Sequence, residues 1–194
     1  MSAPAANFDA ARRTMVANQL RPQGVTDVRV LAAMGSVPRE DYVPAGSQAS
    51  AYGDRAIMLD DGSPMFPPAE LGLLLSRLAP MPGERALVVG GGGAYAAALL
   101  RHIGLEVATD DPESGAVDLI LIEGAIEQLP AHLAERLVPD GRVGAAIVED
   151  GVTRLALGRA SANSSGARSV GFTSFAEAQV PLLPGTSSAP AFAF

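Results

Sequence analysis

The chain has 194 residues, 48% of them hydrophobic and 18% charged, which suits one folded domain with a substantial buried core. It has no cysteine, and all 14 basic residues are arginines, which excludes disulfides, thiolate catalysis, lysine Schiff bases and lysine-containing phosphate loops. The net charge of −7 comes from residues 102–135, which hold eight acids and no arginine; with no basic stripe, no nucleic-acid partner is expected.

The N-terminus lacks a basic start followed by an apolar run, so no signal peptide is read there and a cytoplasmic protein is expected. Phe8–Leu20 reads as a helix with Phe8, Ala11, Met15 and Leu20 on one side, broken by Arg21-Pro22-Gln23-Gly24. Thr26 or Asp27 caps a second helix with Val28, Leu31 and Met34 at helical spacing, ended by Gly35 and Pro38. Val37–Pro44 is a proline-bracketed connector whose Tyr42 and Val43 pack onto the domain. Residues 53–68 are loop-rich, with a short strand at Ala56–Leu59. Pro67 and Pro68 then open a helix whose stripe of Leu71, Leu74, Leu75 and Leu78 faces a core.

The chain is organised around Arg85–Leu100. A strand, Arg85–Val89, runs into Gly90, Gly91, Gly92 and Gly93, and Ala94 and Tyr95 begin an alanine-rich helix. Strand, glycine loop and helix start bring a ligand against backbone N–H groups and the positive end of a helix. Four consecutive glycines are costly to order, which favours ligand binding over a tight turn that only lets the helix pack on the sheet. The uncharged span Ala86–Leu100 contains these glycines and is too short to cross a bilayer, so no membrane partner is expected.

Leu105–Thr109 follows as a weaker strand, Asp110–Ala116 as a turn-like link and Val117–Ile122 as a buried strand. Leu129, Leu133 and Leu137 mark a helix, and Pro139-Asp140-Gly141 a turn. Strands are expected at Arg142–Val148, Val152–Leu157 and Gly171–Leu183, with a flexible tip at Ser161–Gly166. The two histidines, His102 and His132, have no neighbour at ligand spacing, so no metal is expected. The order gives an α/β fold: a parallel central sheet, an antiparallel C-terminal hairpin and N-terminal helices, in one domain where residues 1–80 pack on the sheet of residues 85–194.

These blocks resemble the protein-L-isoaspartate O-methyltransferases. Arg12–Pro44 is similar to that family's N-terminal region, Leu87–Tyr95 to its S-adenosylmethionine glycine motif, Val117–Ile147 to a later strand–helix–strand segment and Phe175–Gly185 to its closing strand. The resemblance implies a Rossmann-like methyltransferase sheet, S-adenosylmethionine as cofactor, methyl transfer to isoaspartyl carboxylates and a protein or peptide substrate. By the same resemblance the cofactor contacts are Gly90, Gly91, Gly92, Gly93, Ala94 and Tyr95, with Asp110 on the ribose hydroxyls. Three departures stand out. Val88 holds the place of the motif's acid, Ala94 that of its third alternating glycine, and Gly62–Pro68 keeps only Ser63 as a hydroxyl, so no catalytic residue is carried over. The alternative is a non-catalytic relative that keeps the fold as a binding module. A nicotinamide-nucleotide enzyme fits the 20-residue interval from Gly90 to Asp110 but not the C-terminal hairpins.

Seven residues, Asp110–Ala116, join two strands expected to be parallel, where a crossover helix normally stands. Eight steps from Thr109 to Val117 reach at most about 26–29 Å. Returning along a five-residue strand and passing two strand positions needs roughly 17 Å plus about 10 Å. The link closes only if it is nearly extended, or else Leu105–Thr109 is not a parallel strand. One helix and one strand of the family's sheet are thus expected to be missing, with an open adenine side, weakened cofactor affinity and apolar surface available for homo-oligomerisation.

Overall fold

A computed structural model describes residues 7–108, 115–162 and 168–183. The first helix, α1, is Phe8–Met15, capped by the Asn7 side chain, which accepts from Ala10 N at 3.0 Å. The helix expected to run on to Leu20 changes to a π-helical turn at Val16–Leu20. Asp27 caps α2, Val28–Ser36, accepting from the amides of Arg29 and Val30. Two short strands, β1 (Ile57–Met58) and β2 (Pro64–Met65), form a hairpin before α3, Pro68–Leu78. Leu71, Leu74, Leu75 and Leu78 of α3 are all fully buried, as their spacing predicts.

The central sheet contains β3 (Arg85–Val89), β4 (Glu106–Ala108), β5 (Val117–Ile126), β6 (Leu137–Glu149), β7 (Val152–Ala162) and β8 (Arg168–Glu177). Its order is β4-β3-β5-β6-β7-β8. The first four are parallel, and β7 and β8 are antiparallel additions. Between β3 and β4 lies α4, Gly93–Ile103, closed by Gly104 in the left-handed region at φ +104°, where Leu105 N returns to Leu100 O at 3.0 Å. The short link therefore carries the chain from one flank of β3 to the other, and no helix or further strand stands between β4 and β5 among the described residues.

Four boundaries differ from the sequence reading. The helix around Leu133 is only α5, Ala131–Glu135, because Leu137 already pairs with Val117 as the first residue of β6. Pro139-Asp140-Gly141 is not a terminating turn but a bulge within β6: pairing passes from Val117–Leu137 to Leu119–Arg142, with Asp140 at φ +62°. β8 ends at Glu177, and beyond it, among the described residues, Leu182 pairs by an isolated bridge to Ala125. β5 runs four residues past Ile122 through a second bulge, which separates Leu121–Gly144 from Ala125–Ala146.

The strands of the sheet bury side chains on both faces, which is why β5 reads as a continuous apolar run. Leu119, Leu121, Ala146 and Leu155 face α2, α3 and α4. Leu87, Ile120, Ile122 and Val143 occupy the other face with Leu133 of α5 and Leu183. These side chains are buried within the single chain.

Candidate functional site

The strand order reverses at β3: α4 leads outward to β4, while β5 lies on the opposite flank. Ligands of open α/β sheets bind beyond the C-terminal ends of the strands at such a point. Here that place holds the glycine loop and the last third of β5. Val88 pairs with Leu121 and Val89 with Ile122, so the next residues, Gly90 and Glu123, come opposite each other.

Each glycine of the loop has a neighbour where a side chain would be. Gly90 sits at φ +107°, and a Cβ there would lie 2.5 Å from the Glu123 carbonyl oxygen. A Cβ on Gly91 would meet Ser63 Oγ at 1.6 Å, one on Gly92 would meet Glu123 Oε2 at 2.5 Å, and one on Gly93 would meet Val88 Cγ1 at 2.8 Å. The loop is therefore held between β5 below and the β1–β2 hairpin above. Gly92 is the N-cap of α4 and offers no side-chain acceptor to the first-turn amides.

Ala94 is exposed and borders a cleft of about 430 Å³, lined also by Asp41, Tyr42, Val43, Leu59, Asp60 and Asp61. Tyr95 points the other way. It is fully buried, its ring centroid 5.6 Å from that of Tyr42 and beneath the Arg39 guanidinium at 5.0 Å. Asp110 lies outside the described residues. A separate cavity of about 490 Å³, between α5 and β8, contains none of the glycine-loop residues. Ser63, the hydroxyl left in the loop before α3, is buried and donates to Asp61, whose carboxyl is held below its usual range by that bond.

Two residues that the sequence reading did not single out organise the site. Glu123 and Arg39 are both fully buried and grip one residue between them. Phe66 N donates to Glu123 Oε2 at 3.1 Å, and Arg39 Nη2 donates to the Phe66 carbonyl at 2.6 Å. Arg39 Nε donates to the Ala51 carbonyl at 2.8 Å. Burial pushes the Glu123 carboxyl up to about 7, against the opposing pull of the Phe66 amide and the Arg39 charge. Burial likewise lowers Arg39. Among the described residues, Glu123 Oε1, Arg39 Nη1 and Tyr95 OH have no hydrogen-bond partner.

A second buried cluster braces the first. Arg12 Nε donates to Tyr52 OH at 2.8 Å and Nη2 to Glu40 Oε1 at 2.9 Å, while Tyr52 OH donates to Glu40 Oε2. Tyr52 is pushed up to about 12, first by burial and then by the Glu40 carboxylate. The one sequence signal for Glu123 was an acid ending an apolar run opposite the glycine loop. Arg39, inside a proline-bracketed connector, gave none.

Residues 11–109 match the family model for protein-L-isoaspartate(D-aspartate) O-methyltransferase. The chain is 32% identical to the protein-L-isoaspartate O-methyltransferase of Methylorubrum extorquens, over 97% of this chain and 95% of that protein. It is also 32% identical to that of Methylorubrum populi, over 93% and 99%. Its fold matches a crystal structure of a putative protein-L-isoaspartate O-methyltransferase from Plasmodium falciparum, in complex with S-adenosyl-L-homocysteine. The TM-score is 0.69 at 19% identity, covering 92% of this chain and 99% of that one.

Proposed function

The chain belongs to the protein-L-isoaspartate(D-aspartate) O-methyltransferase family, and from that premise we propose that it methylates the carboxylate of isoaspartyl residues in proteins, with S-adenosylmethionine as donor. The observation that carries this reading is the glycine loop at the reversal of strand order, facing a buried carboxyl on the neighbouring strand. The non-catalytic alternative finds no support in the two relatives matched over nearly their whole length, both of which bear the enzyme's name.

The sulfonium of S-adenosylmethionine supplies an electrophilic methyl group and leaves as a neutral thioether. The residues proposed to hold it are Gly90–Gly93 and Ala94, at the uncapped start of α4, with Asp110 on the ribose. Tyr95 supports this loop from the core side, through its ring contacts with Arg39 and Tyr42. Asp41, Asp60 and Asp61 around the cleft give it a negative potential that favours a cationic cofactor.

The acceptor carboxylate is ionised at neutral pH and is already a nucleophile, so the protein need not remove a proton. What the chain must supply is alignment in a site that excludes water. Arg39 and Glu123 serve this by fixing both polar groups of Phe66, the residue that shapes the loop ahead of α3. Incubation with S-adenosylmethionine and an isoaspartyl peptide should release S-adenosylhomocysteine and form a base-labile methyl ester. The same peptide with ordinary aspartate should not react. Release no greater than in a peptide-free control would overturn the assignment.

A further inference from the structure

The fold buries the carboxyl of Glu123 without completing its hydrogen bonds. Oε2 takes the Phe66 amide, and Oε1 has no partner among the described residues. Arg39 does not finish the pairing, because two of its donors are spent on the carbonyls of Ala51 and Phe66 and its Nη1 bonds no acceptor among the described residues. A fully buried carboxylate with an idle oxygen is an expensive arrangement, and this one has its other oxygen, Oε2, against Gly92 and its backbone across from Gly90. Under the methyltransferase reading, on which this inference rests, that is where the amino-acid end of the cofactor meets the loop. That end carries an ammonium group.

We propose that the Glu123 carboxylate, whose Oε2 stands against Gly92, binds the α-ammonium of S-adenosylmethionine and of its product, supplying from β5 the negative charge that Val88 does not supply from β3. A cation placed at this carboxylate gives its idle acceptor a charge-assisted donor and balances the buried charge.

The full chain is titrated calorimetrically with S-adenosylhomocysteine and with its analogue lacking the α-amino group, as wild type and as Glu123→Gln. Wild type should prefer the amino-bearing ligand by about tenfold or more, and the variant should bind the two within about twofold. A variant that keeps the wild-type preference, or one that loses affinity for both ligands equally, would overturn the assignment; the second outcome makes Glu123 a support for the loop or for a bridging water with Arg39 and Tyr95. A second readout needs no variant. At a pH near 6.5, binding the amino-bearing ligand should release protons as Glu123 ionises, measured across buffers of different ionisation enthalpy, and the deaminated analogue should release fewer; equal release overturns the proposal. If wild type binds neither ligand, the methyltransferase reading fails and takes this inference with it. If wild type binds and methylates while the variant keeps its preference, only the Glu123 assignment falls.

Discussion

Glu123 is the residue whose chemistry reaches furthest, and its ionisation leaves a mark on stability. Its carboxyl faces the Arg39 guanidinium, the Tyr95 hydroxyl, the Phe66 amide and the start of α4 at Gly92. Burial outweighs the attractive groups and raises it from 4.5 to about 7. In that window the folded chain holds a proton that the unfolded chain has released. Stability from this group is therefore complete below the unfolded value and falls as pH rises toward the folded one, by about 3 kcal/mol in all. Glu123→Gln cannot ionise. Denaturant midpoints measured from pH 4 to pH 8 should show wild type losing stability relative to the variant between roughly pH 4.5 and 7. Parallel curves would mean that Glu123 stays in one protonation state throughout.

The glycine loop shows how much of an element a sequence discloses. Strand, loop and helix start were legible because Arg85–Val89 and Ala94–Leu100 each carry their own period, and four glycines mark the junction. What was not legible is what the glycines accommodate. The sequence reading gave the loop to a ligand, whereas the structure also fills the space beside Gly90–Gly93 with Glu123, Ser63 and Val88. No periodicity reveals this, because these contacts come from strand register and a distant hairpin. The end of β5 was missed for a similar reason: Glu123 and Gly124 resemble strand breakers, yet they sit in a bulge where Gly124 adopts φ +148° against Leu183. Substitution should separate tight from idle glycines. A Cβ would lie 1.6 Å from Ser63 Oγ in Gly91→Ala and 2.5 Å from Glu123 Oε2 in Gly92→Ala, so each should cost about 1–3 kcal/mol. Gly46→Ala, which meets nothing within 4 Å, should be neutral or slightly stabilising. Equal effects at all three positions would show that the hairpin does not rest on the loop.

At the scale of the whole molecule, the short link sets the limits of the sheet. The alignment with the Methylorubrum extorquens relative spans 220 positions, more than this chain contains, so the relative carries residues that this chain lacks. The family match ends at residue 109, where the link begins. β4 is parallel to β3, and β4 and β5 lie on opposite flanks of it; residues 109–114 of the link lie outside the described residues. Among the described residues β4 is a three-residue edge strand held by the pairs Arg85–Glu106, Ala86–Val107 and Leu87–Ala108. β5 is paired on both sides, and its Leu119, Ile120 and Leu121 are fully buried. A strand with one neighbour opens without disturbing the rest, whereas a central strand opens only with global unfolding. Amide hydrogen exchange should therefore be faster at Glu106–Ala108 than at Leu119–Leu121 by well over tenfold. S-adenosylhomocysteine at about 100 times its dissociation constant should stabilise the native state by about 2.7 kcal/mol, slowing the β5 amides about a hundredfold. Equal protection of β4 and β5 without ligand would show that the edge strand is locked into the global unit. β5 amides unchanged by ligand would show that no cofactor binds the native fold.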